Sequence, residues 1–162
     1  MSNTQTQDRE IVITRLVSAP RALVFEAWTQ PEHVINWWGP NGFTNTIHEM
    51  EVKPGGIWRF TMHGPDGTNF PNRIVFQEVE KPSRLVYAHD DDKESGKSEI
   101  AFHVTVTFEE QGDKTLITMR TLFRTAVERD RVVKEFGAIE GGNQTLTKLE
   151  IYLQQQAQRI GG

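Results

Sequence analysis

Cysteine is absent from the chain. Its absence excludes disulfide staples, thiolate nucleophiles and zinc sites built on cysteine. No apolar run approaches the roughly 20 residues that a membrane-spanning helix needs, so no membrane partner is expected. Basic residues are in the minority: 18 Lys and Arg stand against 22 Asp and Glu, a formal net charge of -4. A nucleic-acid surface needs clustered positive charge, so no nucleic-acid partner is expected either. Residues 1–8 are polar, without the apolar centre of a signal peptide; they read as a loose tail and the location as cytoplasmic. There is no Gly-x-x-x-x-Gly-Lys-Ser/Thr phosphate loop and no readable Ser-His-Asp arrangement, and no cofactor is expected.

What is present is ordinary for one globular domain, expected over 9–160: 162 residues, 36% hydrophobic and 25% charged. A first strand is predicted over 10–18. Ser18-Ala19-Pro20 then starts a helix whose buried side is Val24, Phe25, Ala27 and Trp28. Pro31 opens a second short helix that ends at Trp37-Trp38, before the turn residues Gly39-Pro40-Asn41-Gly42. From Phe43 the pattern changes to period two, with strands predicted over 43–52, 57–63, 70–80, 84–89, 99–109 and 114–123. Glycine, proline and acidic clusters punctuate them, including Asp90-Asp91-Asp92, read as a solvated hairpin tip. Such short connections imply antiparallel neighbours.

The last third is helical. Thr125-Ala126-Val127-Glu128 is a capping box, and Gly137 interrupts the helix it starts. From Ile139 apolar residues recur at helical spacing through Leu146, Leu149, Tyr152, Leu153 and Ile160. Inside this pattern stand Gly141 and Gly142, each costing roughly 0.5–1 kcal/mol relative to alanine in a helix interior. Either the helix starts after Gly142, or a bare helix face is wanted where something approaches the backbone. Position 142 falls on the buried stripe between Ile139 and Leu146, which favours the second. The expected fold is therefore α+β: a seven-stranded antiparallel sheet curved around a long C-terminal helix, with two short helices after strand 1. A cavity between sheet and helix is expected, with the glycine pair in its wall.

Several segments together resemble the START-like (SRPBCC) superfamily, and within it the branch of heat-shock-protein ATPase activator homologues. They are Thr14-Arg15-Leu16-Val17-Ser18-Ala19-Pro20-Arg21, Val24-Phe25-Glu26-Ala27-Trp28-Thr29, Trp37-Trp38-Gly39-Pro40, Pro54-Gly55-Gly56-Ile57-Trp58-Arg59-Phe60, Pro82-Ser83-Arg84-Leu85-Val86-Tyr87 and Glu140-Gly141-x-x-x-x-Leu146-x-x-Leu149. The resemblance spans about 10–156. It implies the helix-grip fold, a pocket for a hydrophobic or amphipathic small molecule, and relatives that include polyketide cyclase-like proteins. It defines no shared catalytic constellation. Many members of the branch carry tryptophan where this chain has Gly142, which implies an enlarged cavity here.

Candidate pocket residues follow from both readings. Of Trp37 and Trp38, one indole is expected to plug the core and the other to line the pocket mouth, where Gly39 and Gly42 allow loop movement. Trp58, Phe60, Phe76, Tyr87, Phe102, Phe108, Phe123, Phe136 and Leu146 are core residues, some of which can line a cavity, as can Gly141 and Gly142. Strand alternation allows His48, His89 and His103 to point inward as titratable groups, and Arg73 or Arg120 to meet a ligand anion. The five histidines show no tight ligand spacing, so no metal site is expected. The leading expectation is a small-molecule binding protein, monomeric or homodimeric. An enzyme of cyclase, dehydratase or hydrolase type in the same cavity is the alternative, and a co-chaperone-like stimulator of a heat-shock ATPase the third.

Overall fold

The computed structural model describes residues 7–90 and 100–161. The chain enters through a short 3-10 turn, Gln7–Arg9, at the end of the expected tail, and Arg9 Nη1 donates to the Phe123 carbonyl at 3.0 Å. β1 (Glu10–Val17) leads to two short helices, α1 (Arg21–Thr29) and α2 (Pro31–Val34). Six strands follow: β2 (Thr44–Met50), β3 (Ile57–His63), β4 (Asn69–Glu80), β5 (Arg84–Asp90), β6 (Ile100–Gln111) and β7 (Lys114–Phe123). The acidic tip expected after His89 lies outside the described residues, except that Asp90 ends β5.

The seven strands form one sheet in the order β1-β7-β6-β5-β4-β3-β2, every pair antiparallel. This is the order that successive short turns enforce, with β1 closing against the last strand. Bulges between Ile47 and Glu49 in β2, between Phe76 and Glu78 in β4, and between Ile100 and Phe102 in β6 bend the sheet. β6 runs two residues beyond its expected end, as far as the tight turn at Gly112, whose φ is 65°.

Two helices close the chain, α3 (Ala126–Phe136) and α4 (Ala138–Gly161). Thr125 Oγ1 accepts from the Glu128 N–H at 3.1 Å, as the capping box predicts, and Gly137 ends α3 with φ 58°. Thr125→Ala is expected to lower the unfolding free energy by about 1 kcal/mol, read by chemical denaturation. α4 begins before the glycine pair, so both glycines lie within it. Its buried stripe is Leu146, Leu149 and Leu153.

The core has an aromatic centre. Trp28 of α1 meets Trp37 at 4.9 Å and Phe108 of β6 at 5.6 Å, and the Trp37 indole N–H donates to the Ala27 carbonyl at 3.0 Å. Trp58, Phe60 and Phe76 continue this layer along β3 and β4.

Candidate functional site

Between the sheet and the first turns of α4 lies a chamber of about 360 Å3. The loop after α2 supplies Trp38, Gly39 and Pro40 to its wall. Met62 comes from β3, Tyr87 and His89 from β5, Phe102 and Val104 from β6, Met119 and Thr121 from β7, and Gly141, Gly142 and Thr145 from α4. Alternation along each strand explains the set. Met62 continues the inward row of Trp58 and Phe60, and Met119 and Thr121 lie between the buried Ile117 and Phe123.

The glycines differ in what they face. A Cβ on Gly142 would stand 2.5 Å from Ile13 Cδ1 and 3.7 Å from Met119 Cε, so α4 crosses β1 closely at that point. A Cβ on Gly141 would reach only Pro40, at an ordinary 3.6 Å. Beside them the Thr145 hydroxyl donates to the Gly141 carbonyl at 2.9 Å, which leaves little polarity on this side of the chamber.

The loop that carries Trp38, Gly39 and Pro40 is strapped in place by polar contacts. Lys148 Nζ donates to the carbonyls of Gly39 at 3.1 Å and Pro40 at 3.3 Å. The Asn41 N–H donates to Gln144 Oε1 at 3.1 Å, and Asn45 Nδ2 to the Trp38 carbonyl at 2.7 Å. Partial burial holds the Lys148 ammonium below its ordinary pKa. Positive φ values at Gly39 (98°) and Gly42 (87°) let the loop turn tightly.

Polar groups on the wall are few. The His89 ring nitrogen Nε2 lies 2.7 Å from Asn72 Oδ1, and the ring packs on Phe102 at 4.6 Å. Tyr87 is 2% exposed, and burial pushes its phenol well above the ordinary value, the Trp28 indole opposing in part. A neutral acid with a raised folded pKa stabilises the fold fully below the unfolded value near 10, and that contribution is lost progressively as pH rises from there towards the folded value. Of the two tyrosines in the chain, Tyr87 is therefore expected to stay a phenol in the folded protein above pH 10 and to ionise on unfolding. An alkaline titration at 295 nm with and without denaturant reads this. Two phenolates in the folded protein would contradict it.

Among the residues expected at a pocket, Trp38, Tyr87, His89, Phe102, Gly141 and Gly142 lie on the chamber wall. Trp37 is the core plug, fully buried with its N–H bonded to Ala27. Trp58, Phe60 and Leu146 are also core, and Phe123, buried next to the wall, packs on Phe102 at 5.3 Å. The Phe136 side chain lies outside the described residues.

Four expectations are corrected. His48 is exposed and bonds Thr61 Oγ1 at 2.9 Å, because it is the extra residue of the β2 bulge and alternation breaks there. Arg73, His103 and Arg120 occupy the outer parity of their strands, each between two inward residues. His103 Nδ1 lies 3.2 Å from Gln77 Oε1, and Arg120 Nε lies 3.9 Å from Glu10 Oε2. Missed in the sequence were Gly39, Pro40, Met62, Val104, Met119, Thr121 and Thr145 as wall residues. For Met119 and Thr121, the inward parity of Ile117 and Phe123 was the available signal. Among the described residues no three His, Asp or Glu side chains come together as a metal site, and no described helix is long and apolar enough to cross a membrane.

Comparison with known proteins places this geometry in a family. The family described as Activator of Hsp90 ATPase homolog 1-like protein matches residues 18–154. No curated protein matches the chain. Among solved structures, protein NE0264 from Nitrosomonas europaea is 24% identical with a TM-score of 0.80, covering 93% of this chain and 97% of that one. Protein Ms6760 from Mycobacterium smegmatis is 21% identical with a TM-score of 0.83, covering 93% and 94%. A protein from Staphylococcus epidermidis, solved by NMR, is 26% identical with a TM-score of 0.79, covering 91% of each chain. These likenesses carry the helix-grip fold.

Proposed function

Because the chain belongs to the Activator of Hsp90 ATPase homolog 1-like family, whose fold leaves room between sheet and C-terminal helix, we propose that it is a cytoplasmic protein that binds a hydrophobic or amphipathic small molecule in this chamber. One observation carries the reading. The chamber is of ligand size, and among the described residues its wall bears no Asp, Glu, Lys or Arg. Each ligand methylene buried there contributes about 0.8 kcal/mol. Tyr87 and His89, two residues apart on β5, are placed to orient a single polar group.

The same wall argues against acid–base catalysis. General acid–base chemistry needs groups that exchange protons near the working pH. Here the phenol is held neutral, and among the described residues no carboxylate lines the wall. A co-chaperone role would use an outer face rather than a chamber between sheet and helix, so nothing at this site favours it.

Native mass spectrometry of freshly purified protein tests the proposal. A retained small molecule, or saturable uptake of the neutral fluorophore N-phenyl-1-naphthylamine at one site, is expected. Bare protein that also fails to take up the fluorophore would refute it.

A further inference from the structure

The chamber does not end at the loop. Pro40, Met62 and Gly141 also border a wider groove of about 640 Å3 on the other side of it. Phe43 and Phe70 form an apolar flank of the groove, with ring centroids 6.0 Å apart, and Phe70 is 43% exposed. Such an apolar surface continues the chamber outward rather than closing it.

Charge distinguishes the two volumes. The chamber wall has no charged side chain, whereas the groove has one among the described residues, the Glu140 carboxylate in the first turn of α4. Glu140 Oε1 accepts from Gln144 Nε2 at 3.4 Å, a long contact that leaves the carboxylate exposed to the groove. The ammonium of Lys148 is directed to the Gly39 and Pro40 carbonyls and is not on the groove wall. Among the described residues an anionic head leaving the chamber therefore meets a like charge and no cation, and a cationic head meets an opposite charge.

Resting on the binding function proposed above, we infer that chamber and groove are one elongated site for an amphipathic amine, its apolar end inside and its ammonium in the groove beside Glu140. Passage lies between Pro40 and the flexible thioether of Met62.

Three probes with the same ten-carbon length separate this inference from the reading beneath it: decylamine, decanamide and decanoate, each competing with N-phenyl-1-naphthylamine on the full chain. Decylamine is expected to displace the fluorophore at about fivefold lower concentration than decanamide, the effect of one opposite charge about 4 Å away in water. Decanoate is expected to be the weakest. Glu140→Gln should bring decylamine and decanamide within about twofold of each other, and salt should narrow the difference in the wild type in the same direction. Fluorophore binding with decanoate equal to or better than decylamine, or an order unchanged by Glu140→Gln, overturns the amine while the chamber reading stands. Failure of the fluorophore to bind at all overturns both.

Discussion

Gly142→Trp is expected to destabilise the protein by about 1–3 kcal/mol through overpacking and to abolish fluorophore binding. The first atom of the new side chain already falls 2.5 Å from Ile13 Cδ1. Ile13 is itself 6% exposed in the core, so its end can turn only by displacing neighbours. The rest of the indole then has one open direction, into the chamber past Met119. The neighbouring glycine supplies the control. Gly141→Ala meets Pro40 at an ordinary distance, so removing the helix penalty of glycine should stabilise by roughly 0.5–1 kcal/mol. Denaturation of both variants, with a fluorophore titration of each, reads the result. A more stable Gly142→Trp would mean that α4 does not cross β1 closely.

Trp37→Ala should be the most damaging single change considered, costing about 3–5 kcal/mol. It removes a fully buried indole, its contacts with Trp28 and Trp38, and the hydrogen bond to Ala27. Against a typical total stability of about 5–15 kcal/mol, that is enough to leave a large unfolded fraction in a weakly stable protein. Trp38→Ala should cost less, about 2 kcal/mol, because its indole is half-buried at the chamber wall. It should instead change fluorophore affinity severalfold. The adjacent tryptophans thus separate by readout, Trp37 by stability and Trp38 by binding. Equal stability losses with unchanged binding in Trp38→Ala would remove that indole from the site.

The contrast between these two residues shows what the sequence could and could not convey. That one indole would plug the core was readable from Trp-Trp ahead of a glycine-proline turn. Which one depended on how α2 ends, where the Trp37 N–H finds the Ala27 carbonyl. The strands and their order were readable because short turns between period-two segments leave few pairings. Which face each strand turns inward was less so. In β7 the apolar run Leu116, Ile117 and Met119 does not alternate cleanly, and Arg120 differs from Thr121 only by parity. In β2 the bulge at His48 reverses the parity, and no glycine or proline marks it. Gly142 was recognisable as a missing side chain on a buried stripe. That its neighbour is Ile13, near the other end of the chain, arises only when β1 pairs with β7 and α4 lies across them.

The central claim is that a ligand enters between the sheet and α4, and the four tryptophans report on it directly. Each indole N–H gives one signal in a nitrogen-correlated NMR spectrum. Titration with N-phenyl-1-naphthylamine should move the Trp38 signal saturably, since that indole lines the chamber. The Trp37 signal should stay in place, held in the core by its bond to Ala27. In Gly142→Trp the Trp38 shift should vanish. Shifts confined to amides of the outer sheet face, around His48, Arg73 and Arg120, with the Trp38 indole unmoved, would contradict the claim.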